Sequence, residues 1–269
     1  MIVEPRFIPI LLLEDGRFVK TRRFSDPVYV GDPVNVLSIF NEFVVDEIIL
    51  LDISAAETRR PYAIDLLRSY AEECFIPLAY GGGLSSIKQF GDLYHAGFEK
   101  AVVNTVLAED PGLVELAASR FGSQAIVGSI DVRGTGDGHE VVVRGNREVV
   151  SRSPVDWARR AVDLGVGEIL VTSVDREGTG DGFDLDLIGM ITGAVEVPVI
   201  GHGGAGRRAD LAGPVHEAAA SAVAAGSLFV FQGPDRGVLI NYPPRRQIEK
   251  ILAAVDLDSD QAGQKVGRG

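Results

Sequence analysis

Pro77-Leu78-Ala79-Tyr80-Gly81-Gly82-Gly83 and Pro198-Val199-Ile200-Gly201-His202-Gly203-Gly204 share a pattern and lie 121 positions apart. Each is a short apolar run opened by proline and closed by paired glycines, which reads as a buried strand entering a tight turn. The same offset relates Asp46-Glu47-Ile48-Ile49-Leu50 to Gly167-Glu168-Ile169-Leu170-Val171. Any α/β barrel repeats strands by chance, but a constant offset that carries matched Glu, Pro and Gly-Gly pairs favours duplication of one half.

Outward from these stretches, apolar and β-branched runs recur at Phe7 to Leu13, Glu47 to Leu51, Ile76 to Tyr80, Lys100 to Val103, Ala125 to Asp131, Glu168 to Thr172, Pro198 to Gly201 and Ser221 to Ala225. Helical periodicity lies between most of them, as at Tyr62 to Glu73, Pro111 to Phe121 and Pro154 to Leu164. Alternating strands and helices require a parallel sheet, and eight such units close most economically into one (β/α)8 TIM barrel with a two-fold half-barrel repeat. A length of 269 residues with 46% hydrophobic content suits that single domain, over residues 1–255. The polar, glycine-containing stretch 256–269 is expected to be disordered. Arg133 to Arg152 interrupts the pattern after the fifth strand and reads as a small hairpin insertion.

A net charge of -12 opposes nucleic acid or an anionic membrane as main partner, because the summed field repels phosphate backbones. Any anion must be caught locally. Cys74 is the only cysteine, so no internal disulfide forms, and no apolar run approaches membrane-spanning length. The apolar run within Met1 to Leu13 is too short for a signal peptide, and a cytoplasmic location is expected. Four histidines without ligand spacing point to no metal, and no cofactor motif is present.

In such barrels the reacting groups come from the C-terminal ends of strands. Gly82-Gly83 and Gly203-Gly204 sit there, where the missing Cβ lets backbone N–H groups approach a phosphate, or merely allows a tight turn. Asn104-Thr105 in the first half and Gly226-Ser227 in the second would complete two anion sites, for a ligand with a phosphate at each end. Acidic strand ends are Asp52, Asp131 and the run Asp175-Arg176-Glu177-Gly178-Thr179, in which Gly178 joins the phosphate-binding set and Glu177 lines the site. Asp131 ends an apolar strand, where a desolvated carboxyl can serve as general acid or base; the alternative is an aspartate that caps or tethers a loop. By the repeat it corresponds to the segment Ile10 to Leu13, with Leu12 taken as the matching position, so a two-carboxylate site has lost one member. Lys20, in the loop Glu14 to Lys20, offers a flexible cation or is plain surface. His202 beside the second glycine pair could donate to a phosphate or move protons. At the opposite end, Arg6, Glu47, Lys100 and Glu168 open four strands, as a salt-bridged ring that stabilises the barrel base or as a gate.

With Phe7-Ile8-Pro9, Asp15-Gly16-Arg17, Gly81-Gly82-Gly83, Phe121-Gly122-Ser123-Gln124, Asp175 to Thr179 and Gly203-Gly204-Ala205-Gly206 in place, the chain resembles the cyclase subunit family of imidazole glycerol phosphate synthase, from about Arg6 to Leu228. The resemblance implies a duplicated barrel, a bis-phosphorylated ligand, and ammonia delivered through the barrel by a glutaminase (glutamine amidotransferase) subunit. It implies that Arg6, Glu47, Lys100 and Glu168 form the ammonia gate, that the catalytic aspartate pair falls on Leu12 and Asp131, and that Lys20, Asp52, Asn104 and Thr172 line the active site. His202 replaces an expected serine.

The stretches Ala225 to Phe231 and Val238 to Pro243, with the Leu11-Leu12-Leu13 strand, are similar to a cyclase-like subgroup associated with glycosyl amidation. That likeness implies ammonia supply to a sugar amidotransferase acting on a surface-polysaccharide sugar. The gate charges are retained while the Leu12 carboxylate is lost, which favours an ammonia-channelling subunit for amidation. The alternatives are a true cyclase of histidine biosynthesis and a phosphate-binding barrel without turnover.

Overall fold

A computed structural model of the chain describes residues 4–55, 63–233 and 236–253. In chain order its strands and main helices are β1 (Arg6–Glu14), β2 (Arg17–Arg22), β3 (Ser25–Gly31), α1 (Pro33–Phe40), β4 (Ile48–Asp52), α2 (Ile64–Glu73), β5 (Leu78–Gly81), α3 (Ile87–His95), β6 (Lys100–Val103), α4 (Thr105–Glu109), α5 (Pro111–Phe121), β7 (Ile126–Thr135), β8 (Gly138–Val143), β9 (Glu148–Ser151), α6 (Pro154–Asp163), β10 (Glu168–Ser173), α7 (Leu185–Thr192), β11 (Val199–His202), α8 (Gly213–His216) and β12 (Ala222–Ala225). Strands β1, β4, β5, β6, β7, β10, β11 and β12 pair in parallel, and the β10–β7 pairing closes the ring. This is the (β/α)8 barrel that the alternation requires. The expected tail 256–269 lies outside the described residues, as does Tyr62 at the start of the first expected helix. Among the described residues no helix is long and apolar enough to cross a membrane.

Period-two alternation divides each barrel strand between two apolar layers. Ile8, Ile10 and Leu12 point into the barrel with Ile49, Val127, Leu170 and Ile200, whereas Phe7, Leu11 and Leu13 pack outward with the helices. Helix starts follow their local chemistry. Asp110 and Ser153 cap α5 and α6 by accepting the amides of Leu113 and Asp156, with Pro111 and Pro154 in the first turn.

The insertion after the fifth barrel strand is the β8–β9 hairpin, joined to β7 in antiparallel pairing. A second hairpin, β2–β3, follows β1 in the same way. The segment from Arg17 to Lys20 is therefore a strand and not the flexible loop expected. Both half-barrels carry a hairpin after their first strand, so the duplication extends to the insertions.

Candidate active site

At the C-terminal ends of the strands lies a cavity of about 1080 Å³. Leu12, Asp52, Gly82, Gly83, Asn104, Thr105, Asp131, Thr172, Glu177 and His202 all border it. A small adjoining cavity is bordered by Lys20, Gly178, Gly203, Gly204, Gly226 and Ser227, and it shares Glu177 and His202 with the first. The residues expected to bind, line or react thus converge on one end of the barrel, with the two repeated glycine pairs on separate sides.

Asp131 is inward by strand parity, like Val127 and Ser129 before it. Its carboxyl accepts from Asn104 Nδ2 at 3.1 Å, at the start of the connection after β6, and from Ser129 Oγ at 3.5 Å on its own strand. Burial pushes its pKa up to about 7, against the opposing hydrogen bonds of Ser129, Asn104 and Thr172, and nearby Glu177 adds to the rise. A carboxyl that holds its proton near neutrality is suited to general acid and base work. Ser129 escaped the sequence reading because nothing marks a serine two residues upstream as a partner except strand parity.

Lys20 is not the exposed or flexible cation that a loop would give. It lies in β2, only 3% exposed, with Nζ donating to the Ile10 carbonyl at 2.9 Å. Burial lowers its pKa to about 8, while Glu177 partly opposes the shift. His202 is also buried, and desolvation, followed by the charge of Lys20, lowers its pKa to about 3 and keeps the imidazole neutral. Its Nδ1 lies 3.1 Å from Thr172 Oγ1.

Asp52 borders the main cavity, but one of its oxygens is occupied by the loop that follows. Oδ1 accepts from the Ser54 amide at 3.0 Å, the Ser54 hydroxyl at 2.7 Å and the Ala55 amide at 3.1 Å. Glu177 accepts from the Phe24 amide at 3.1 Å, which ties the loop after β10 to the turn between β2 and β3. Arg144, Gly145 and Arg147, from the β8–β9 turn, also border the large cavity and were not foreseen. No local signal marks them, because only the hairpin geometry brings that turn over the barrel mouth.

At the opposite end the four charges form one ring. Arg6 bonds Glu47 at 2.6 Å and also bonds Glu168, and Lys100 lies 2.8 Å from both carboxylates. Each cation touches both anions, so the charges of the carboxylates, which are largely buried, are compensated. Among the described residues Glu47 Oε1 remains a buried acceptor without a donor.

The model of the histidine biosynthesis protein family matches residues 6–234. A Pseudomonas aeruginosa protein provisionally named imidazole glycerol phosphate synthase subunit hisF2 is 45% identical over 249 residues, covering 92% of this chain and 99% of its own length. A Leptospira interrogans protein, provisionally named imidazole glycerol phosphate synthase subunit HisF, is 37% identical over 93% of this chain and 100% of its own. The imidazole glycerol phosphate synthase subunit HisF of Alkaliphilus metalliredigens is 42% identical over 85% and 91%.

Proposed function

Because this chain belongs to the histidine biosynthesis protein family, as a relative of imidazole glycerol phosphate synthase HisF subunits, we propose that it is an ammonia-using cyclase subunit that acts on a bis-phosphorylated ribotide. The observation that carries the reading is the position of Asp131 on the large cavity, which one repeated glycine pair borders and which adjoins a smaller cavity bordered by the other pair. Gly82, Gly83, Asn104 and Thr105 would hold one phosphate; Gly178, Gly203, Gly204, Gly226 and Ser227 would hold the other. The barrel interior below is lined by Ile8, Ile49, Ala79, Val102 and Ala222, an apolar surface compatible with neutral ammonia and not with ammonium. The Arg6, Glu47, Lys100 and Glu168 ring would then admit ammonia released by a glutaminase partner.

A second reading keeps the conduit without ring closure: ammonia would pass on to amidation of a surface-polysaccharide sugar. One observation favours it. Leu12 fills the inward position where a second acid or base would stand, and a leucine exchanges no protons. The names of the relatives support the synthase reading more strongly.

Calorimetric titration with the phosphoribulosyl-formimino aminoimidazole-carboxamide ribotide tests the shared premise. One-to-one binding that weakens at least tenfold when either phosphate is removed supports the two-site cavity. Binding indifferent to one of the phosphates overturns it.

A further inference from the structure

Loss of the carboxylate at Leu12 leaves Asp131 as the only acid so far assigned to the proposed chemistry, yet a second titratable group borders the same cavity. We propose that His202 is the second proton-transfer group of this site, coupled to Asp131 through the hydroxyl of Thr172. The proposal rests on the reading of the cavity as a reaction site.

Strand register creates the juxtaposition. Thr172 on β10 pairs with Asp131 on β7 to one side and with His202 on β11 to the other, so the three side chains stand abreast on adjacent strands. Asp131, Thr172 and His202 all border the large cavity. Thr172 Oγ1 lies 3.1 Å from His202 Nδ1, and the same side chain stands beside the Asp131 carboxyl at the paired position of the neighbouring strand. The other charged groups facing the pair are Lys20 from β2 and Glu177 from the loop after β10.

A threonine hydroxyl carries one proton, so it cannot donate to a carboxylate and to an unprotonated imidazole nitrogen at once. The chain is satisfied in two ways. In the first, protonated Asp131 donates to Thr172 Oγ1, Thr172 donates to His202 Nδ1, and Nε2 carries the imidazole proton. In the second, His202 Nδ1 donates to Thr172, which donates to ionised Asp131. Passage from the first to the second moves the Asp131 proton to Thr172, the Thr172 proton to Nδ1, and the Nε2 proton to a ligand atom. The imidazole stays neutral at both ends of the step, in keeping with its burial beside Lys20. Asp131 has lost one proton and the ligand has gained one. The relay thus presents an acid at Nε2, two strands away from Asp131.

Nitrogen-15 NMR of the labelled imidazoles tests the coupling without any ligand. In the intact protein His202 is expected to change from the Nε2–H to the Nδ1–H tautomer as pH rises through the ionisation of Asp131. Asp131→Asn, whose side chain cannot ionise, should remove the pH-dependent change of tautomer. Thr172→Val should uncouple the two residues, and Thr172→Ser should restore the behaviour. A His202 tautomer that ignores pH, or that behaves identically in Asp131→Asn, overturns the proposal. In ammonia-driven turnover of the ribotide, His202→Ser should lower kcat about 100-fold with KM little changed; an unchanged kcat would also overturn it. If the intact protein leaves the ribotide unconverted, the cyclase reading fails, and the NMR result alone decides whether the relay exists.

Discussion

Leu12 and Asp131 occupy equivalent places in the two half-barrels. Leu12 pairs with Leu51 on β4 as Asp131 pairs with Thr172 on β10, and Leu51 and Thr172 are themselves 121 positions apart. Each also pairs across to its own hairpin, Leu12 with Val19 and Asp131 with Val142. One half presents a carboxyl at this point and the other a methyl-branched side chain.

Leu12→Asp restores the symmetric pair in the cavity that His202 also borders, opposite Val19 and so next to Lys20 in β2. A neighbouring carboxylate favours the charged amine, so the depressed Lys20 pKa should move back toward the ordinary lysine value. Ammonia-driven turnover of the ribotide should rise roughly tenfold or more, within the range that a positioned acid or base contributes. No rise would place the limitation elsewhere, with His202 the first suspect.

The Asp131 carboxyl gives stability a definite pH dependence. Its folded pKa, about 7, exceeds the ordinary aspartate value of 3.8, so between these limits the folded protein holds a proton that the unfolded chain has released. Asp131 therefore contributes stability that is fully present below about pH 4 and is lost as pH rises toward 7, at about 1.4 kcal/mol per pH unit. His202 acts in the opposite sense, because its lowered pKa makes stability rise between about 3 and 6.5. Urea denaturation of the wild type against Asp131→Asn isolates the aspartate: the stability of the variant relative to wild type should increase steadily from pH 4 to 7.

Lys100→Met removes one cation from the basal ring and leaves two carboxylates sharing Arg6 alone. Breaking a buried pair costs about 3–5 kcal/mol, and partial exposure of Lys100 reduces that to about 2 kcal/mol. Thermal unfolding should register the loss. If the ring is a gate, glutamine-driven activity with the glutaminase partner should fall more than activity driven by added ammonium. Equal falls would leave the ring a purely structural feature.

Gly82 and Gly203 both have positive φ, at 141° and 97°, and a Cβ at either would crowd a neighbouring strand end. Added to Gly203 it would lie 2.7 Å from the Ser173 carbonyl, and added to Gly82, 2.6 Å from Asp52 Cβ. Gly203→Ala should cost about 1–3 kcal/mol and weaken binding of the bis-phosphorylated ligand. Calorimetry that finds unchanged affinity would reduce the glycine to its turn.

Much of the barrel was legible because its strands are short, apolar and bounded by turn residues. Seven of the eight expected strand runs end within two residues of the observed strands, and β7 overruns to Thr135 only because it continues into the hairpin. The β2–β3 hairpin is hard to read from sequence, because Arg17 to Arg22 has no period-two alternation and its four central residues are all buried. The burial of Lys20 was missed with it: a lysine on a loop reads as exposed, whereas on β2 it is turned into the barrel mouth. The repeat directs Asp131 to the Ile10 to Leu13 segment, but its offset of 121 falls on Ile10, and only the strand register selects Leu12; the Asp131–Thr172–His202 alignment likewise needs the register of three strands that are distant in sequence.

The most direct test mixes the purified protein with ammonium salt and the bis-phosphorylated ribotide and follows substrate loss and imidazole product. Steady conversion that disappears in Asp131→Asn is the outcome expected of an ammonia-using cyclase subunit. Binding of the ribotide with no conversion at any ammonium concentration would contradict that function and leave ammonia conduction as the role of the barrel.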